Sequence, residues 1–371
     1  MAGNSTSAGA FPFATYRMGP MRVFACQACG QLLYFENVRC ERCSRLLGYL
    51  PDRGTISAIE PMQEDQWKAL ASKARYRLCK NREFGVCNWM VPAKSTEKFC
   101  AACRHNHTIP DLSIPGSADL WRKLESAKHR LFYTLLNLNL PLANRIDDPE
   151  HGLAFDFLAE APESHDHRVM TGHSNGVITL AVREADDAER ERVRTEMGEP
   201  YRTLLGHFRH ESGHYFWDSL VRDGNRLDSF REAFGDERTD YAAALRSHYA
   251  GGPAADWQQS FVSAYASAHP WEDFAETWAH YLHIVDTLET ARAFGVKVQA
   301  RPGRRTELSA AIDFDPHKAV SIEQLIAAWL PLSFALNSLN RSMGHADLYP
   351  FMLPPAVVEK MGYIQRLVHK V

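Results

Sequence analysis

The chain has 371 residues, with 42 Lys and Arg against 45 Asp and Glu, and 11% of its residues are aromatic. This composition excludes collagen-like, coiled-coil and wholly disordered proteins, and the length allows two or three domains. No apolar stretch approaches the length of a membrane helix, about 20 residues, and we find no secretory signal. We therefore expect a cytoplasmic protein without membrane contact.

The charge is divided between two parts of the chain, which we call the head (residues 21–113) and the body (residues 114–371). The head has a net charge of +5 and the body a net charge of −9. Residues 1–20 are rich in Gly, Ser, Ala and Thr, and they predict a disordered tail. The basic head indicates an anionic partner or contact with the body, but +5 is too small to predict nucleic-acid binding by itself.

The first part of the head, residues 21–60, contains two Cys-x-x-Cys pairs with strand-forming residues between them and a further strand expected at Thr55–Ile59. Each pair can present both thiolates to one ion, and two pairs complete a tetrahedron. The spacing resembles a zinc ribbon. Disulfides would require export, which nothing in the sequence indicates. The expected zinc ligands are Cys26, Cys29, Cys40 and Cys43.

A looser group of cysteines occupies the second part of the head, residues 61–113. Of its four cysteines, only the last two have the Cys-x-x-Cys spacing. Four thiols that are close in sequence, without an oxidising context, nevertheless predict a second structural zinc module. Ligation by His105 or His107 is an open alternative, as are free or redox-active thiols. The expected ligands are Cys79, Cys87, Cys100 and Cys103.

The body is predicted to be mainly helical with a small sheet, an α+β fold. A long amphipathic helix follows from the apolar spacing of Leu120 to Leu135 and ends before Pro141. Residues 169–182 predict a hairpin with Asn175-Gly176 as its turn, and Val177–Val182 is a possible edge for an extended peptide. Further helices are expected over 186–199 and after Ser321, which has Gln324 as the partner of a capping box.

The chemistry of the chain is concentrated in His210-Glu211-Ser212-Gly213-His214, within a predicted helix over residues 201–221. Four residues advance a helix by roughly 400°, so both imidazoles lie on one face and can bind one Zn²⁺. Glu211 lies about 100° away, where it can approach a water without binding the metal. Gly213 costs a helix about 1 kcal/mol and indicates that another segment packs close to its backbone.

Two regions could supply a third protein ligand for this zinc. One contains Asp236, Glu237 and Asp240. The other is the segment from His269 to Trp278, where Pro270 suits the first turn of a helix and Glu272 and Glu276 share a face. Two carboxylates four residues apart repel unless a metal relieves them, which favours Glu272 as the ligand and Glu276 as the group that orients a histidine.

These residues resemble the gluzincin arrangement of zinc peptidases. The stretch from Tyr265 to Trp278 is similar to the anthrax lethal factor catalytic domain, and its Pro270-Trp271-Glu272 portion resembles the Mlc titration factor peptidases. With the ribbon, the chain resembles a bacterial family of zinc-binding metallopeptidases with an N-terminal zinc ribbon. The resemblance implies a zincin-like body with zinc on His210, His214 and Glu272, Glu211 as general base and Tyr265 as hydrogen-bond donor to the oxyanion. Asp273 departs from the apolar residue of the Mlc-type relatives and is either a rival ligand or a charge at the N-terminus of the helix.

The sequence therefore predicts a zinc metallopeptidase with one catalytic and two structural zinc ions. Zinc would lower the pKa of its water from about 15.7 to about 7, and Glu211 would take the proton and pass it to the leaving amine. The expected substrate is a peptide or protein, and the head could bind a protein partner. Alternatives are an idle zinc protein that binds peptides and a ribbon that binds nucleic acid through basic residues between Lys73 and Arg82.

Overall fold

The computed structural model describes residues 23–159, 169, 171–299 and 308–369. The chain combines helices and sheets with two four-cysteine clusters near its N-terminus, so the predicted α+β class is confirmed. The predicted tail, residues 1–20, lies outside the described residues. One continuous apolar core runs from Phe24 in the head to Val368 near the end of the body.

The head contains a two-stranded ribbon and an antiparallel sheet of five strands, paired in chain order. Strand β4 confirms the strand expected at Thr55–Ile59, and its four central residues are buried. The seven strands are β1 (Phe24–Ala25), β2 (Leu32–Leu33), β3 (Leu47–Leu50), β4 (Thr55–Pro61), β5 (Trp67–Ala69), β6 (Arg75–Leu78) and β7 (Met90–Pro92).

A four-stranded mixed sheet has the spatial order β10-β11-β9-β8. Its strands are β8 (Asn106–Thr108), β9 (Ala154–Leu158), β10 (Gly172–Ser174) and β11 (Val177–Ala181). The predicted hairpin joins β10 to β11, and Asn175 and Gly176 both have positive φ, at 46° and 81°. Two such residues form the turn whose twist suits a tight hairpin. A separate antiparallel pair consists of β12 (Lys297–Gln299) and β13 (Ser309–Ala311).

The expectation that the strand starting at Val177 offers a free edge to a peptide is wrong. Strand β11 pairs with β10 on one side, antiparallel, and with β9 on the other side, parallel. Its backbone groups are therefore used within the sheet. Strand β10 lies at the border of the sheet instead, and no described residue pairs with its outer side.

The helices confirm most of the predicted segments, with shorter bounds. The first ends at Asn137, before Pro141, and the predicted helix over 201–221 divides into α3 and a π-helical segment at Trp217–Arg222. Half of the predicted capping box is confirmed, because Ser321 accepts from the backbone N–H of Gln324 at 3.4 Å. The other half is wrong, since the side chain of Gln324 accepts from the N–H of Val320 at 3.0 Å and not from that of Ser321. The helices are α1 (Ser117–Asn137), α2 (Asp187–Glu196), α3 (Leu204–Phe216), α4 (Leu227–Phe234), α5 (Tyr241–Gly251), α6 (Pro270–Ala293), α7 (Ile322–Ser342) and α8 (Pro355–Val368).

Helices α3 and α6 pack against each other at Gly213. A Cβ atom at this position would lie 2.8 Å from Cα of Ala275, which is closer than real Cβ contacts allow. The glycine therefore lets the two helix backbones approach, as the sequence indicated. Contrary to the expectation that no segment approaches the length of a membrane helix, α7 has the length and apolar composition of a possible membrane span, and 39% of its most apolar window is buried in the fold.

Candidate metal centres

Helix α3 positions two histidines on one side of its axis. Thr203 begins the helix because its side-chain oxygen accepts from the N–H of Gly206 at 3.0 Å. Phe208 and Phe216 are fully buried and hold the helix in the core. With this face fixed, His210 and His214 bring their Nε2 atoms to 3.2 Å from each other.

Glu272 of helix α6 completes a triangle with these histidines. Its Oε2 lies 3.1 Å from Nε2 of His210 and 3.5 Å from Nε2 of His214. Ligand atoms about 2.0–2.1 Å from a tetrahedral zinc ion are about 3.3 Å apart, so the triangle fits this metal. Burial raises the pKa of Glu272, but the hydrogen bonds to the two histidines outweigh it and hold the pKa well below its usual range. The carboxylate is thus available as an anionic ligand.

Glu276, which lies on α6 together with Glu272, orients His210. Nδ1 of His210 donates to Oε1 of Glu276 at 2.7 Å, and the hydroxyl of Ser263 donates to Oε2 of the same carboxylate at 2.6 Å. Burial raises the pKa of Glu276, but these contacts with His210 outweigh it and lower the pKa to about 2. An ionised Glu276 fixes the tautomer of His210 so that Nε2 faces the triangle.

Three aromatic side chains lie next to the triangle, and the sequence indicated no role for two of them, Tyr241 and His173. Tyr241, at the start of α5, donates its hydroxyl hydrogen to Oε1 of Glu272 at 2.6 Å. The ring of Trp271 lies over the ring of His214, with centroids 3.8 Å apart, and His173 of β10 packs against both. Tyr241 is 31 residues from its partner and His173 is 41, so only the folded chain brings them to the site.

Glu211 lies beside the triangle without contributing to it. Its side chain is buried, and Oε2 has no hydrogen-bond partner among the described residues. Burial raises the pKa of this carboxyl, while the neighbouring His210 and His214 oppose the rise. A buried carboxylate oxygen without a partner requires a polar group such as a water next to it. Because Glu211 lies beside the expected metal ligands, it is suited to accept a proton from such a water.

Tyr265 occupies a short 3₁₀-helix, Tyr265–Ala268, next to the triangle. Its ring centroid is 5.9 Å from that of His210. Burial, together with the charge of Glu272, raises the pKa of the phenol well above its usual value. The hydroxyl therefore keeps its proton and can act as a hydrogen-bond donor.

The other acidic candidates for the third ligand are engaged elsewhere. Asp236 pairs with Arg238 at 2.7 Å and Glu237 pairs with Arg231. Asp240 caps α5 by accepting from the N–H of Ala243.

Asp273, the rival ligand next to Glu272, points away from the triangle. It is fully buried and accepts from Nζ of Lys360 in α8 at 2.6 Å. Successive helical residues differ by about 100° in direction, so two neighbours on α6 serve two different functions.

The first cysteine centre, at Cys26, Cys29, Cys40 and Cys43, has the geometry of a thiolate zinc site. The sulphur atoms of Cys26 and Cys43 are 3.6 Å apart, as are those of Cys29 and Cys40. Sulphurs at about 2.3 Å from a tetrahedral zinc ion are about 3.8 Å apart. No disulfide joins these or the other described cysteines.

The second cysteine centre is buried and also contains four converging sulphurs, from Cys79, Cys87, Cys100 and Cys103. Cys87 and Cys100 are 3.7 Å apart. Backbone N–H groups donate to the sulphurs of Cys79, Cys87 and Cys100 at 3.3–3.4 Å, as suits thiolates. The alternative ligands are wrong: His105 binds the carbonyl of Leu153 and His107 binds Asp156.

The fold brings together three groups of side chains that could each hold a metal ion, namely the two sets of four cysteines and the triangle. Residues 117–367 match the model of a family described as "Putative zinc-binding metallo-peptidase", and residues 23–114 match that of a zinc-ribbon domain. The chain belongs to this metallopeptidase family. It is similar to Uncharacterized protein Mb2598c of Mycobacterium bovis and to Uncharacterized protein Rv2568c of Mycobacterium tuberculosis. Each is 46% identical over 353 residues, which cover 95% of this chain and 96% of the relative. No solved structure matches the chain.

Proposed function

We propose that the chain is a zinc-dependent peptidase of the gluzincin type with a zincin-like body. The observation that supports this best is the triangle of His210, His214 and Glu272 with the unpartnered, buried Oε2 of Glu211 beside it. When bound there, a zinc ion supplies a Lewis acid and an acidified water. The fourth position of a tetrahedron stays open because the chain provides three ligands.

The roles of the surrounding residues follow from their positions. Glu211 would accept a proton at Oε2 from the water that attacks the peptide carbonyl, and would give that proton to the departing amine. Tyr265, which stays protonated, donates to the carbonyl oxygen as negative charge develops on it. Glu276 and Ser263 hold His210 in one orientation, which keeps the triangle ready for the metal.

The substrate is an extended peptide, and the border strand β10 is the element that receives it. This strand lies next to α3, and its His173 packs against His214. A peptide added to β10 would run past the triangle with its backbone hydrogen bonded to the sheet. The two cysteine centres have closed coordination spheres, so their role is structural.

Cleavage of a peptide library, read by mass spectrometry, tests this function. The unaltered protein, loaded with three zinc ions, should cut peptides, and Glu211→Gln should retain three ions and cut at least about a hundredfold more slowly. Glu191→Gln, on the exposed side of α2, is the matched control and should cut at the unaltered rate. If the zinc-loaded protein binds peptides without cutting them, the chain is a peptide-binding module and not a peptidase. Equal cutting by Glu211→Gln would remove Glu211 as the base.

A further inference from the structure

Helix α1 of the body touches the second cysteine centre of the head. Nε2 of His129 lies 3.4 Å from the sulphur of Cys87, 3.7 Å from that of Cys103 and 4.0 Å from that of Cys100. His129 is buried, with 4% of its surface exposed. The imidazole nitrogen therefore covers the face of the sulphur tetrahedron that lies opposite Cys79.

The hydrogen bonds of His129 identify what this nitrogen does. Nδ1 lies 2.6 Å from the carbonyl oxygen of Glu125, which can only accept, so Nδ1 carries a proton. Nε2 faces sulphur atoms that act as thiolates when they hold a zinc ion, and thiolates are acceptors. A ring that satisfies both contacts donates from both nitrogens. With four sulphurs completing the tetrahedron, His129 is a donor to the ligands rather than a ligand.

The negative charge of the thiolate centre also favours a hydrogen-bond donor at the position of His129. Four thiolates around one Zn²⁺ leave two negative charges in a buried place, which is costly without compensation. The neighbouring Glu125 pairs with Lys128, whose Nζ lies 2.9 Å from Oε1, and its Oε2 lies 3.6 Å from the sulphur of Cys103 and 3.8 Å from Nδ1 of His129. Among the described residues, the side-chain nitrogen that directly faces the sulphurs and can donate to them is Nε2 of His129.

We propose that His129 belongs to the second zinc centre as the donor to the thiolates of Cys87 and Cys103, and that the ion in this centre thereby holds α1 in place. The family match places the cysteines in the ribbon region and His129 in the metallopeptidase region. The centre is thus shared between them. The inference concerns a structural ion and is independent of whether the chain cuts peptides.

The contacts of α1 extend this effect to the triangle. Thr134 of α1 donates to Asp286 of α6 at 2.8 Å, and Arg209 of α3 donates to the same carboxylate at 2.5 Å. Arg209 directly precedes His210. The position of α1 therefore affects the position of α3, the helix that carries both histidines, through direct contacts between buried groups.

The first test compares His129→Gln with His105→Gln in the full chain. Both histidines are buried beside the cysteines, but His105 faces a carbonyl instead of sulphur. Both variants should bind three zinc ions. Loss of an outer partner typically weakens a metal site 10–100-fold, so a chelator should remove thiolate-held zinc about tenfold faster from His129→Gln only. Equal release from the two variants would overturn the proposal.

Hydrogen exchange on the same variants tests the effect on the body. In His129→Gln, amides of α1 and α3 should exchange faster, while those of β3 to β7 should keep the unaltered rate. Faster exchange confined to α1 would overturn the connection to α3.

A measurement on the unaltered protein covers the case that His129→Gln fails to fold. After exchange of zinc for ¹¹³Cd and labelling of histidine with ¹⁵N, the thiolate-only cadmium signal should couple to a histidine Nε2 proton across the N–H···S bond. A direct cadmium–nitrogen coupling at this centre would make His129 a ligand and overturn the assignment. Absence of any coupling would overturn it as well.

Discussion

Tyr241 donates its hydroxyl hydrogen to Oε1 of Glu272 over 2.6 Å, and this leaves Oε2 of the same carboxylate directed at His210 and His214. One oxygen of Glu272 is thus held by the protein and the other is left for the metal. If a zinc ion binds at the triangle as proposed, Oε2 of Glu272 is the oxygen available to it.

Replacing Tyr241 by Phe should weaken zinc binding at the triangle about 10–100-fold, because outer partners of ligands contribute that much to affinity. Competition with a chelator of known affinity measures the change. Tyr249→Phe, at an exposed position on the same helix, should bind zinc like the unaltered protein. Equal affinities for the two variants would show that Tyr241 does not position Glu272.

Glu272 and Asp273 should respond differently to loss of charge. Glu272→Gln should lose one zinc ion per chain, because a neutral amide is a poor ligand for Zn²⁺. Asp273→Asn should keep all three ions but lose about 1.5–3 kcal/mol of unfolding free energy, the contribution of a hydrogen bond to a charged group, here Lys360. Metal analysis and denaturant unfolding of both variants separate these outcomes. Loss of zinc from Asp273→Asn would restore it as a ligand.

Gly213→Ala should destabilise the protein by about 1–3 kcal/mol, because the new Cβ would force α3 away from the backbone of α6 at Ala275. Zinc affinity of the triangle should fall too, since its ligands lie on both helices. Gly251→Ala is the matched control because a Cβ there meets open space. Thermal unfolding and zinc titration measure both effects, and similar behaviour of the two variants would contradict the close approach.

His317→Gln should change stability in a pH-dependent way. Burial lowers the pKa of His317, but the hydrogen bond to Asp315 and the charges of Glu289 and Asp286 outweigh it and raise the pKa above its usual 6.5. Because the folded protein binds this proton more tightly, the stabilisation is complete below about pH 6.5 and is lost as pH rises through the folded pKa. The difference in unfolding free energy between unaltered protein and variant should therefore shrink with rising pH.

Denaturant unfolding between pH 5.5 and 9, each point with both proteins, measures this difference. His345→Gln, at an exposed position, is the control for the substitution itself. A difference for His317→Gln that stays constant would show that its proton is not bound more tightly in the folded state.

The sequence predicted what depends on local spacing. The positions of His210 and His214 on one face, the cap at Ser321 and the turn at Asn175-Gly176 all arise within a few residues of the motif that indicated them. Tyr241 and His129 could not be predicted, because their partners are distant in the chain and neither lies in a pattern. The strand at Val177 was recognised, but its neighbours in the sheet depend on how separate segments assemble.

Strand β8 has a consequence for any attempt to produce the body separately. It follows the last cysteine of the head, yet it pairs in parallel with β9 along the border of the body's sheet. A fragment that began at residue 117, where the family match begins, would lack β8 and expose the hydrogen-bonding side of β9, whose Phe155 and Phe157 are apolar. Unpaired apolar edge strands pair with the same strand of other copies, so such a fragment should aggregate and form inclusion bodies.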